Sequence, residues 1–352
     1  MNERAERLRR YLADYYRDEE MPTLLRQAEE WAETQPLAGL RVLDATPLYR
    51  NTLAKFMALL AGGAELYVPT RSTMPHDPEI MRLVSEFGIH YARKDDPLYD
   101  IVLDCAGQFT RLKPTLGAVE LTRTGVARYD RAKTPVFVAD DGIIKRVEAM
   151  LGTGESFFRA LRQLGYDDFN QRRLLIIGCG KVGHGVLHYA RKEGMKLMVA
   201  DVVDKSGMLA GDVTFVDAND ADALNDAILR SWCTVTVTGR IGALRHKLRA
   251  ADVTNSNVIL ANLGVEDEYG SEVPAERVLN KKKPLNFILD EPTTMPFIET
   301  TMALHNACAL ELLIADLPRK LLAPPEDVET KLLAIACEHG LIGEDVRRLG
   351  LC

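Results

Sequence analysis

A chain of 352 residues is longer than one ordinary hydrophobic core supports, so two domains are expected. With 47% hydrophobic and 27% charged residues it reads as a water-soluble globular protein, and a net charge of −7 argues against nucleic acid or an anionic membrane as partner. No apolar run approaches the roughly 20 residues that span a bilayer, and MNERAERLRRYLADYY is too charged for a secretory leader. The six cysteines (Cys105, Cys179, Cys233, Cys308, Cys337 and Cys352) form no C-x-x-C pair. A reducing, cytoplasmic setting with neither disulfides nor a metal site is expected.

Residues 2–33 carry the pattern of a charged amphipathic helix broken at Met21-Pro22; proline suits a first helical position, so two helices are predicted. A turn at Gln35-Pro36-Leu37-Ala38-Gly39 leads to a strand at 40–43, a helix at 51–61 and a strand at 65–68. The βαβ rhythm continues with a helix at 78–86 and strands at 100–104 and 136–139. Glycines and a shift of charge place a connection at 140–154, followed by a helix to about residue 164. An apolar run at 174–177 then enters Gly178-Cys179-Gly180-Lys181-Val182-Gly183, a helical segment, a second apolar run at 197–200 and Asp201. Strands at 234–238 and 258–261 end in Thr238-Gly239 and Asn262-Leu263-Gly264. Residues 296–317 read as an apolar helix and 318–352 as peripheral helix.

Strand, glycine turn, helix and a strand ending in an acid together make a dinucleotide site. The glycines fit a tight turn, close backbone approach to a pyrophosphate and close helix–strand packing, and the helix N-terminus offers N–H groups. Asp201 stands where an acid binds ribose hydroxyls, which favours NAD over NADP because no arginine replaces it. The fold class expected is α/β: an α/β substrate-binding domain over 1–140, a Rossmann NAD-binding domain over 152–292, and a C-terminal helical segment over 293–352 that packs back on the first domain.

Further stretches resemble the S-adenosylhomocysteine hydrolase family. Glu20-Met21-Pro22-Thr23-Leu24-Leu25 is similar to its Glu-Met-Pro-Gly-Leu-Met, and Gln35 to Val42 to its Gln-Pro-Leu-Lys-Gly-Ala-Arg-Ile. Thr124-Gly125-Val126, the Asp141 to Lys145 stretch, Gly154-Glu155-Ser156, the glycine turn, Thr238-Gly239, Asn262-Leu263-Gly264 and Glu311-Leu312 follow in the same order. The resemblance implies a held NAD⁺ that oxidises a nucleoside 3′-hydroxyl, elimination at C5′ from the acidified neighbour, addition of water and reduction of the ketone. It implies Lys145 and, with one residue inserted, Glu120 beside the sugar. Asp141, and Glu266 at the mouth of the cofactor crevice, complete the catalytic candidates. Gly178, Gly180, Lys181, Val182, Gly183 and Asp201, with Thr122, Thr124, Thr238, Gly239 and Asn262, are the implied cofactor residues.

The departures from that family lie among its acid/base groups. Its histidines fall on Pro47, Val265 and Met295, its catalytic aspartate on Cys105, and the acid after the lysine on Ala149 or, shifted by one, Glu148. His184 and His305 read as packing histidines and Cys105 as a buried thiol. The family's C-terminal tail finds no match, so a homodimer is expected in place of a larger assembly. The expectation is an NAD-bound enzyme with a small nucleoside substrate, eliminating for example water. S-Adenosylhomocysteine hydrolysis and non-catalytic binding of NAD or nucleoside are the alternatives.

Overall fold

The computed structural model describes all residues except 71–73, 75, 94, 95, 97, 130, 131 and 352, with the side chain of Thr124 also outside the described part. In chain order the strands are β1 (Arg41–Asp44), β2 (Glu65–Pro69), β3 (His90–Ala92), β4 (Ile101–Asp104), β5 (Gly117–Glu120) and β6 (Val136–Val138). They continue with β7 (Arg173–Ile177), β8 (Lys196–Asp201), β9 (Val213–Asp217), β10 (Cys233–Thr236), β11 (Ile259–Asn262) and β12 (Leu321–Leu322). The chain divides into two compact units, Met1–Glu148 with Thr294–Cys352, and Ala149–Thr293.

The first unit holds a seven-stranded sheet in the order β12-β6-β5-β4-β1-β2-β3, the second a five-stranded sheet in the order β11-β10-β7-β8-β9. Every strand pair is parallel, as repeated βα crossovers require. Both orders reverse direction once, between β1 and β4 in the first sheet and between β7 and β10 in the second. Crevices at the carboxyl ends of the strands open at such points. Both units are thus α/β with a Rossmann-like strand order.

Two helices, Glu3–Ala13 and Pro22–Thr34, replace the interrupted amphipathic stretch, with Pro22 in the first turn of the second. The helix Thr52–Ala61 is buried along its whole length, Lys55 included, because it packs under the helices Glu3–Ala13, Pro22–Thr34 and Met295–Glu311. Four strands lie outside those expected: β3 and β5, which are short and begin in weak strand formers, β9, and β12, which lies inside the segment expected to be wholly helical. Its two residues pair in parallel with Val136 and Phe137 on the sheet edge. Only after it do the helices Glu326–His339 and Gly343–Arg348 follow. No helix among the described residues is long and apolar enough to cross a membrane.

The returning segment is tied to the first unit by Glu299. Its buried carboxyl meets the Thr23 hydroxyl (2.8 Å), the Leu24 N–H (3.1 Å) and the Thr300 hydroxyl (2.9 Å), at the start of the helix Pro22–Thr34. Burial pushes this carboxyl up to about 7, against the opposing pull of the Thr23 and Thr300 hydroxyls. An acid raised in the folded state stabilises fully below its unfolded value and loses that contribution as pH rises through about 7. Glu299→Gln keeps the shape and removes the titration. The wild type is therefore expected to lose more thermal stability than Glu299→Gln between acid and neutral pH, and parallel melting curves across that window would refute the assignment.

Candidate functional site

The glycine turn after β7 shows three distinct steric demands. Gly178 has φ of +105°, and a Cβ there would meet the Val237 carbonyl oxygen at 2.8 Å. A Cβ on Gly183 would stand 2.1 Å from the Gly178 carbonyl oxygen, so the helix Lys181–Lys192 lies directly on the strand end. A Cβ on Gly180 would meet nothing within 4 Å. Gly180 is the N-cap of that helix, and a helix N-terminus offers N–H groups that suit a phosphate. Lys181 is exposed at the helix start, while Val182 packs against the core of this unit.

Asp201, at the carboxyl end of β8, accepts the Cys179 N–H on one oxygen (2.7 Å) and the Val203 N–H on the other (3.0 Å). Each oxygen keeps a further lone pair, and Asp201 lines the adjoining cavity of about 420 Å³. Gly178, Gly180, Asp201, Val203, Thr238 and Ile241 are among its walls. Lys205, Arg240 and Lys247 add positive charge there that the residue pattern alone did not place. Opposite the glycine turn, Glu268 accepts the consecutive N–H groups of Thr238 (2.8 Å) and Gly239 (2.7 Å). Burial raises its carboxyl pKa, and a Cβ on Gly264 would clash with it at 2.2 Å. Glu268 is thus the organising acid of the Glu266-Asp267-Glu268 run, and Glu266 is exposed. Exposure falls from Glu266 through Asp267 to Glu268, a gradient that composition does not reveal.

Asn262 is saturated by the fold. Its Nδ2 donates to the carbonyls of Gly264, Glu266 and Lys282, and its Oδ1 accepts from the Thr236 hydroxyl and the Gly264 N–H. The site of the second unit therefore rests on the turn, Asp201, Thr238 and Gly239.

In the first unit, polar groups gather at the carboxyl ends of β1, β4 and β5. Lys145 Nζ is held by both oxygens of Glu148 at 2.9 Å. Burial works against the ammonium, but Glu148, aided by Asp140 and Cys105, overcomes it and holds the pKa above the ordinary lysine value. A π-helical turn, Glu148–Gly152, begins at this acid, and such turns absorb one extra residue in a helix. Of the two positions expected for the acid after the lysine, Glu148 is the one that meets Lys145. Asp141, by contrast, is exposed and paired with Arg123 (2.9 Å); the neighbouring Asp140 is the buried one whose charge reaches Lys145.

Glu120 is fully buried, and burial raises its pKa. It accepts the N–H groups of Ala106 (3.0 Å), Gly107 (2.9 Å) and Thr122 (2.7 Å) and the Thr122 hydroxyl (2.7 Å). It therefore clamps the turn after β4, in which Ala106 and Gly107 both take positive φ, 62° and 59°. Ala106 is strained there, as residues beside reactive positions often are. Thr122 also caps the helix Arg123–Val126, and the Thr124 side chain lies outside the described residues. Cys105 heads the strained turn, its thiol pushed up by burial and by Glu120.

One further buried group, Lys55, was missed, and His305, expected as a packing histidine, is fully buried. Lys55 is fully buried and bonded to Asp44, whose other oxygen accepts the Thr46 N–H at 2.9 Å. His305 donates from Nε2 to the Val119 carbonyl (3.1 Å), which leaves Nδ1 as a buried acceptor with no hydrogen-bond partner. Burial first, then the charges of Lys55 and Lys145, keep this ring neutral. Among the described residues no cluster of three or more His, Cys, Asp or Glu could hold a metal ion.

No protein-family model matches the chain. It is 25% identical over 305 residues to S-inosyl-L-homocysteine hydrolase of Methanopyrus kandleri, covering 76% of this chain and 70% of that one. It is 25% identical over 276 residues to adenosylhomocysteinase of Haloquadratum walsbyi, covering 69% and 62%. With adenosylhomocysteinase of Aeropyrum pernix the identity is 24% over 308 residues, covering 77% and 71%. The chain is a distant relative of the adenosylhomocysteinases. The aligned part spans less than two thirds of the Haloquadratum protein's length. Among solved structures, a dipicolinate synthase chain of Bacillus halodurans aligns with a TM-score of 0.49 at 13% identity, covering 80% of this chain and 99% of that one.

Pro47 follows β1 and Cys105 follows β4.

Proposed function

We propose that the protein holds NAD in its second unit and oxidises a sugar hydroxyl of a nucleoside, using the ketone for an elimination, for example of water, before the remaining sugar is reduced again. The substrate in this reading differs from S-adenosylhomocysteine. The observation that carries it is the Lys145–Glu148 pair beside Cys105 in a chain that keeps the cofactor turn and has Pro47 in place of a histidine. The fit of the turn to a dinucleotide rests on Gly180, whose missing side chain leaves open space where a pyrophosphate approaches.

NAD⁺, when bound, would accept a hydride from the sugar carbon and later return it. The chain's own groups do the rest. Lys145 Nζ donates a hydrogen bond to the reacting hydroxyl oxygen, and the proton released there passes toward Glu148. Glu120 acts through the turn that it clamps, as a positioning group. Asp201 binds the ribose hydroxyls of the cofactor, and Thr238 and Gly239, fixed by Glu268, shape the opposite wall. Asp141 and Glu266 stay solvent-facing in this scheme, and Asn262 contributes through the loop that it braces.

The names of the relatives favour a second reading, cleavage of a nucleosyl-homocysteine thioether, with the base open between adenine and hypoxanthine. The cytoplasm and a homodimer belong to the proposal in either case. The purified protein is expected to carry NAD and to develop NADH absorbance when the right nucleoside is added. Adenosine and inosine, each with and without homocysteine, separate the two readings by product. Absence of reduction with every nucleoside would leave only a binding protein and overturn both.

A further inference from the structure

The helix that carries Lys145, Ile143–Val147, begins at Gly142, a residue with no side chain to offer its first N–H groups. Groups in that position take partners from elsewhere. Here the partner stands 185 residues further along the chain: Glu329 accepts the Ile144 N–H at 3.4 Å. Burial raises the pKa of this carboxyl, and the N–H groups of Ile144 and Ile143 pull against the rise. The acid therefore faces both N–H groups.

A Cβ on Gly142 would run into both oxygens of Glu329. The backbone there has φ −83° and ψ −178°, a conformation open to any residue. Glycine at 142 is thus required by the acid that lies over it, and not by its own turn. Glu329 is also presented from a fixed element. Its helix, Glu326–His339, packs on the helix Met295–Glu311 and buries Leu332, Leu333 and Ala336. β12, which leads into that helix, pairs in parallel with β6, which leads into Gly142. Two neighbouring strands of one sheet therefore deliver the acid and the glycine to the same place. Lys145 follows Ile144 directly, and Glu148 holds its Nζ at 2.9 Å one turn on.

We propose that Glu329 is a positioning residue for Lys145: lying over Gly142, it fixes the start of the lysine's helix and with it the place of the ammonium. The C-terminal segment, peripheral by its residue pattern, in this way completes the site of the first unit. The inference rests on the role given to Lys145 in the reaction proposed above, and it needs no contact between Glu329 and the substrate.

The test is a double-mutant cycle on the full chain with Gly142→Ala, Glu329→Ala and the two combined. The first change pushes the carboxylate off the N–H groups and the second deletes it, so both remove one contact. Amide hydrogen exchange over residues 143–147 and the rate of NADH formation on adding nucleoside are measured in each protein. Either single change is expected to speed that exchange and to slow reduction, each at least about tenfold. NAD should stay bound and the nucleoside KM should stay within about twofold, because a displaced group costs rate before it costs binding. The combined variant should be no worse than Glu329→Ala by more than about twofold. Glu329→Gln, which keeps an acceptor oxygen in place, should recover much of both losses.

Effects of the two changes that multiply would overturn the proposal, as would wild-type reduction by Glu329→Ala. So would faster exchange along 326–339 without any over 143–147, the mark of lost packing. Exchange needs no nucleoside. If no protein of the cycle forms NADH, the wild type included, the proposed reaction falls, and exchange over 143–147 still decides whether Glu329 holds the helix of Lys145.

Discussion

Lys145→Gln is expected to leave NAD bound while nucleoside-driven reduction falls by about 10³-fold, the scale at which a positioned proton-transfer group contributes. Cofactor retention follows from the location of the glycine turn in the other unit. The expected loss follows from charge: Lys145 is held as an ammonium by Glu148 against the opposing effect of burial. Glu148→Gln gives the sharper check. With that carboxylate gone, burial is the largest remaining influence on Lys145, and its pKa must fall. The rate–pH profile of Glu148→Gln should then lose, at lower pH than the wild type, the limb that requires a charged lysine. A profile unchanged in shape, or Lys145→Gln with full reduction, would remove the pair from the reaction and leave it as a structural tie at the π-turn.

The parts of this molecule that local chemistry dictates were legible in the amino-acid sequence. Parallel βα alternation, the break at Pro22, the turn from Gly178 to Gly183 and the acid closing β8 all follow from residue type and spacing. What escaped reading depends on partners distant in the chain. Glu120 becomes a clamp only because Ala106 and Gly107 come to it across the sheet. Glu268, not Glu266, faces inward because Thr238 and Gly239 present two N–H groups to it. The same holds for Asp140 against Asp141, adjacent acids of which one is buried and one meets Arg123. A lysine within an apolar helix is ambiguous until Asp44 is seen beneath it. Glu148 is the lysine's acid because it stands three residues on, over one helical turn, where the two side chains meet. Strand β12 escaped because two leucines after Pro318 carry no period at all.

Gly180→Ala and Gly183→Ala should fail in different ways. At position 180 the backbone is extended (φ −91°) and a methyl group meets no protein atom, so the fold is expected to stay within about 0.5 kcal/mol of the wild type. The same methyl projects into the space assigned to the pyrophosphate, and NAD affinity should drop at least about tenfold, measured by titration into protein stripped of cofactor. At position 183 the methyl would sit 2.1 Å from a backbone oxygen that no side-chain rotation can move. The helix Lys181–Lys192 must then lift from β7, at a cost of about 3 kcal/mol read from the urea midpoint, with NAD binding lost as a consequence. The contrast is the point of the pair, since loss of binding in Gly183→Ala alone could be blamed on unfolding. Gly180→Ala with wild-type NAD affinity would mean that the turn has the geometry of a phosphate cradle without the use, and the cofactor assignment would fall with it.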